Sequence, residues 1–319
     1  MKRDEMYRCT MQRENMPYQS NVMSESLQAQ SVAPAVIPPS RLTYWSVRRE
    51  LWENRSVYIA PLAVASVALF AFSLSSIAGI WEEPLRLNPA QPQAPYDMAA
   101  GLMMLTGIVV SVFYCLDASH GERRDRSILF WKSLPVSDVT TVLAKASIPL
   151  VILPLLTFAI TVTMQWLMLL ISSVVLLVSG QSVATLWTEL SFLRMSWLLL
   201  YHILTAHALW PAPIYCWLLL VSGWPRRATF LWAALPLVAI GGVEQIAFHT
   251  WHFAALVGSR LIGAAPTVAS TSPEMFPTNP MTHIALGSFL SSPGLWIGLA
   301  LSAAFLAAAV RLRRYQGPI

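Results

Sequence analysis

A chain of 319 residues that is 55% hydrophobic, only 12% charged and positive in mean hydropathy (+0.54) has too few charges to cover a water-soluble fold of its size. Its net charge of +5 and pI near 9.3 would suggest nucleic acid in a soluble protein, but no basic stripe is interleaved with aromatics. Nucleic acid is therefore excluded as a partner, and lipid is the expected solvent.

Residues 1–40 are polar, rich in Ser, Gln, Met and Asn, and end in Pro34, Pro38 and Pro39. Such a composition cannot bury a core, so the stretch reads as a disordered cytoplasmic tail. No apolar core of signal-peptide type precedes Val57, and Met1 and Met23 both stand as possible starts. From Arg41 to Asn54, Tyr44, Val47 and Leu51 fall at helical spacing with Trp45 and Trp52 on a flanking row. Arg49, Glu50 and Glu53 fall on the other side. The segment reads as an amphipathic helix in the inner membrane interface, or as a plain juxtamembrane anchor.

Crossing about 30 Å of hydrocarbon takes about 20 mainly apolar residues, because the backbone must satisfy its own polar groups. Six stretches meet that requirement, at about 57–80, 98–117, 142–175, 195–221, 229–248 and 290–310. The third is expected to be one long tilted helix that protrudes from the membrane, bent in its early turns by Pro149 and Pro154. Pro211 and Pro213 predict a kink in the fourth. With the N-terminus inside, fourteen Lys and Arg residues in or beside short loops lie on the inner side and only Arg86, Arg194 and Arg260 on the outer. That separation predicts that both termini are cytoplasmic, and it survives only with an even number of spans.

The second inner loop, Gly121 to Asp138, carries charges, then Ile128, Leu129, Phe130 and Trp131, then Pro135 and a helix start at Ser137 or Asp138. Four consecutive apolar residues in a cytosolic loop point to an interface with a protein or the membrane surface, or to a short helix packed under the bundle. Within the spans, Gln165, His202, His207 and Glu244 are the polar residues that could line a translocation path. The two histidines could instead hydrogen-bond a neighbouring helix, and Glu244 could lie close enough to the outer surface to be solvated.

No catalytic constellation emerges. His249 and His252 lack a third ligand, and the three cysteines, Cys9, Cys115 and Cys216, form neither a disulfide framework nor a zinc spacing. Glu82-Glu83-Pro-Leu-Arg86 is one residue short of the E-E-x-x-x-R pattern of intramembrane CAAX-type proteases. No nucleophile elbow and no G-x-x-x-x-G-K-[ST] phosphate cradle occurs. Neither a cofactor nor a metal is expected.

The loop Glu122-Arg-Arg-Asp-Arg-Ser-Ile-Leu-Phe-Trp-Lys-Ser-Leu-Pro-Val-Ser-Asp138 resembles that of bacterial type-two ABC transporter permeases. Trp217-Leu-Leu-Leu-Val-Ser-Gly-Trp-Pro-Arg-Arg227, with Phe230-Leu-Trp232 and Leu235-Pro236, is similar to them too, as is the charged-aromatic segment before the first span. The resemblance covers roughly residues 41–314. It implies an all-α polytopic fold of six transmembrane helices with an N-terminal interfacial elbow helix and a cytoplasmic coupling helix at Glu122–Leu134. The coupling helix would dock on a separate ABC-type ATPase subunit that binds the ATP, through Glu122, Arg123, Arg124, Phe130 and Trp131. Residues 249–288 would form an outward re-entrant element. The chain would be a permease subunit of an exporter in the bacterial inner membrane, not an enzyme, paired with a copy of itself or a related permease. The rival expectation is a non-transporting anchor or sensor that recruits a soluble partner through the same loop.

Overall fold

The computed structural model describes residues 38–82, 94–125, 127, 136–180, 182–189, 191–225, 227–262 and 286–315. Among these, every regular element is helical. The chain divides into two units, Met1–Arg41 and Leu42–Ile319, and the contacts below belong to the second.

Helix α1, Pro39–Glu53, precedes the first long apolar helix, α2, Ser56–Glu82. Helix α3, Ala94–Asp117, ends at a turn that leads into the short α4, His120–Arg124. Ser137 then starts α5, Asp138–Ser147, by accepting the Thr140 amide in its side chain. A π-helical turn, Ile148–Ile152, joins α5 to α6, Leu153–Val178. Pro149 lies within that turn and Pro154 at the first turn of α6, so the missing amide protons are absorbed without ending the helix. The combined Asp138–Val178 helix is 41 residues long. At about 1.5 Å per residue it is about twice as long as the hydrocarbon is thick.

The fourth apolar stretch is broken. After the short α7, Ala184–Glu189, come α8, Phe192–His202, a π-helical segment, Ile203–Leu209, and α9, Ala212–Ser222. The two halves meet at 42°. The break falls at Trp210 and Pro211, where Pro211 and Pro213 supply no amide hydrogens. Helix α10, Thr229–Phe248, is followed by α11, His252–Ile262. The short α12, Leu286–Ser291, precedes the last long helix, α13, Pro293–Tyr315.

Five helices are long and apolar enough to cross a membrane, or six when the bent pair counts as one span. The surface agrees with that reading. In their most apolar windows α2, α10 and α13 bury only 17%, 11% and 22% of residues, against 50% for the helix containing α3. Phe70, Leu74, Val238, Ile246 and Ile297 are all more than half exposed. Apolar faces of this extent are stable in hydrocarbon and not in water. The helices and their exposed apolar faces are compatible with a multi-pass membrane protein.

Helix α3 is central: it packs against α2, α6 and α9, while α9 lies along α13. One core cluster includes Val57, Tyr114, Cys115, Ile148, Tyr215 and Leu219. A second includes Tyr96, Met103, Met164, Met168 and Leu169. Cys115 and Cys216 are buried and free.

Candidate functional site

The C-terminal ends of α3, α9 and α13 and the start of α5 converge at one end of the bundle, where α1 also packs. Val47 and Leu51 of α1 lie against the core. Their neighbour Glu50 turns inward with them and is only 1% exposed, which corrects its expected place on the polar side of the helix. Tyr44, Trp45 and Trp52 stay on the outside, with the Arg48 guanidinium over both tryptophan rings at 5.2 and 5.1 Å. The reason for the correction is that Glu50 finds partners far away in sequence.

Lys145 of α5 lies 3.0 Å from Glu50 Oε1 and 3.1 Å from Glu122 Oε1. Its ammonium also donates to the Ala118 carbonyl at 2.6 Å. Arg49 bridges the same two carboxylates, at 2.6 Å from Glu50 and 2.8 Å from Glu122. Arg313 of α13 donates to Glu122 Oε2 at 2.7 Å and lies 3.4 Å from Asp138. Tyr114 of α3 donates its hydroxyl to Glu50 Oε2 at 3.1 Å. Arg123, next along α4, donates to the carbonyls of Gly223 and Trp224 just past α9.

Two buried carboxylates are thus matched by three cations drawn from α1, α5 and α13. Burying an ion costs several kcal/mol unless a partner and hydrogen bonds replace water, and here each carboxylate has both. Burial lowers the Arg49 pKa, but Glu50, Glu122 and Glu53 outweigh it and hold the guanidinium above its ordinary value. Burial also raises the half-exposed Glu53 carboxyl, against the pull of Arg49. Carboxylate oxygens of Glu50, Glu53 and Glu122 lie within 4.8 Å of one another, the spacing of a metal site. Arg49 and Lys145 already occupy the space between them as counter-ions, so a metal ion would have to displace two cations. The arrangement is a buried, charge-matched junction of side chains from α1, α3, α4, α5 and α13.

The junction fixes the root of the second loop. Glu122 and Arg123 are buried, and their side chains face the bundle. Arg124 is exposed and paired only with its neighbour Asp125. Phe130 and Trp131 lie outside the described residues. A groove of about 390 Å³ opens beside the junction, lined by Ser137, Asp138, Thr141, Val310, Arg313 and Arg314. No family model matches the sequence, and no curated protein matches it.

The four polar residues expected along a path do not converge on one site. Gln165 donates to the Tyr96 carbonyl at 3.2 Å, and the Tyr96 hydroxyl meets Ser172 at 3.2 Å. His207 bonds the Met104 carbonyl, so the ring nitrogen Nε2 carries the hydrogen, since a carbonyl only accepts. His202 bonds the Leu198 carbonyl of its own helix. Glu244 accepts the backbone amides of His252 and Phe253, both at 2.8 Å, and the Thr250 hydroxyl at 2.9 Å. It therefore caps the first turn of α11. Of the candidate metal pair, His249 ends α10 with a left-handed backbone (φ 52°), and His252 starts α11.

Sequence reasoning missed Glu50, Lys145 and Arg313 as members of one site. Lys145 offered the only signal: it is a lone charge at the start of an otherwise uncharged run.

Proposed function

We propose that the chain is the membrane-spanning permease subunit of an ATP-driven ABC transporter, working as an exporter with a separate ATPase subunit. The observation that carries the reading is the Glu50–Glu122–Lys145–Arg313 junction. It ties the root of the second loop to α1, α5 and α13 through buried, charge-assisted bonds, which are shorter and stronger than neutral ones. A loop anchored in this way moves three helices as one body when a partner pulls on it. The apolar run Ile128–Trp131 follows within a few residues and supplies the docking surface.

In this reading α1 is the interfacial elbow, with Tyr44, Trp45 and Trp52 in the headgroup layer and Arg48 between the rings. The junction lies on the cytoplasmic side, where the inner lysines and arginines gather. Two copies, or one copy with a related permease, form the gated path, because six spans are few to enclose one. ATP binding and hydrolysis belong to the partner subunit.

The direct test is to purify the chain in mild detergent together with a candidate ATPase encoded beside it. Wild type should retain the ATPase, and a Phe130→Ala/Trp131→Ala variant of equal thermal stability should lose it. If the double variant holds the ATPase as well as wild type does, the docking role of the loop is wrong. An ATPase that binds neither form supports the anchor or sensor reading instead.

A further inference from the structure

At the break in the bent span, beside the start of α13, Arg260 of α11 is only 8% exposed. Among the described residues no carboxylate pairs with it. Its guanidinium instead donates to the Trp210 carbonyl at 3.0 Å and to the Gly294 carbonyl, and it stacks over the Trp210 ring at 4.0 Å. Trp210 returns a bond from its indole nitrogen to the Ser259 carbonyl at 3.0 Å. Gly298 of α13 makes room for the arginine, since a Cβ there would lie 2.5 Å from Arg260 Nη1.

Trp210 is the residue at which the span breaks. Its amide donates back to Thr205, closing the π-helical segment. Its carbonyl lacks the partner that a continuing α-helix would provide, the amide of Ile214, because that amide bonds the Pro211 carbonyl instead. Arg260 satisfies the freed carbonyl. In the bent span the Trp210 carbonyl thus takes its bond from Arg260, where a continuing α-helix would give it the Ile214 amide.

Helix α11 is fastened at its other end as well. Glu244 of α10 accepts its first amides, those of His252 and Phe253, and the Thr250 hydroxyl. Eleven residues are thus clamped at each end by one charged side chain of opposite sign. Of the two, Arg260 is the buried charge, and a buried guanidinium held by carbonyls and a ring without a counter-ion is costly.

We propose that α11 is a strap that locks the 42° bend between α8 and α9, and that release of Arg260 from the Trp210 carbonyl lets the span straighten. The strap connects α10, the bent span and the start of α13, so its release would change the relation of all three at once. The inference does not depend on an ATPase partner.

The test uses fluorine NMR of the full chain in lipid nanodiscs, in a Cys9→Ser background that leaves the buried Cys115 and Cys216 in place. A trifluoromethyl tag on Leu209→Cys reports the bend, and a tag on Val174→Cys, exposed on α6, reports the rest of the bundle. Arg260→Met should give a second Leu209 resonance absent from the parent and leave the Val174 signal unmoved. Glu244→Gln should give the same second resonance in smaller amount, and Arg260→Lys should restore the parent spectrum in part. A Leu209 tag that ignores Arg260→Met overturns the proposal. So does a change at both tags, which would make Arg260 a general holder of the fold. A Leu209 tag insensitive to Glu244→Gln overturns the two-ended strap.

Discussion

Glu122 and Arg124 are two residues apart and differ by everything that decides energetic weight. Glu122 is buried among Arg49, Lys145 and Arg313, whereas Arg124 is exposed beside Asp125. Removing one member of a buried ion network leaves its partners uncompensated, at a cost of about 3–5 kcal/mol. An exposed pair contributes about 0–1 kcal/mol. Glu122→Ala should therefore lower the thermal midpoint in detergent by many degrees, while Arg124→Ala should leave it nearly unchanged. Equal behaviour of the two variants would mean that the junction does not hold this end of the bundle. Glu50 shows why this site was only partly legible. Its local pattern, between Arg49 and Glu53, is that of a solvated face, and its partners Tyr114 and Lys145 are 64 and 95 residues away. No local periodicity encodes a contact of that separation.

Apolar runs of about 20 residues announce spans without any tertiary information, so the long helices were readable in the sequence to within a few residues. The proline positions likewise foretold the break at Pro211, because a missing amide proton acts locally, whereas at Pro149 the helix runs on through a π-helical turn. What the sequence could not supply was how the helices meet. Gly107 of α3 is the clearest case: a Cβ there would lie 3.2 Å from Thr157 Oγ1 of α6 and 3.6 Å from the His207 ring. The missing side chain lets α3, α6 and the π-helical segment approach at one point. Gly107→Ala should push the Thr157 hydroxyl aside by a few tenths of an ångström and loosen the bond from His207 to Met104. A modest loss of stability is expected, on the order of 1–3 kcal/mol for overpacking a close contact. A rise in the thermal midpoint would show that the contact is slack.

For the whole molecule, two places in the bundle carry two different devices. One end gathers buried acids and bases from α1, α4, α5 and α13 into a single rigid junction. At the break in the bent span, Arg260 and Glu244 hold α11 through backbone groups, the Trp210 ring and the Thr250 hydroxyl. Between that break and the junction runs α9. In the reading proposed above, the junction is the handle on which a partner pulls and the bend at Trp210 is the element that responds. The even count of spans, with the bent pair taken as one, also agrees with the division of lysines and arginines between alternate loops.

The measurement that bears most directly on this account is ATP hydrolysis by the candidate ATPase in lipid nanodiscs, alone, with the wild-type chain, and with Glu122→Gln or Arg124→Ala. The account predicts that the wild-type chain and Arg124→Ala change the hydrolysis rate alike, and that Glu122→Gln binds the ATPase but loses most of that change. A rate that is the same with and without the chain would contradict it.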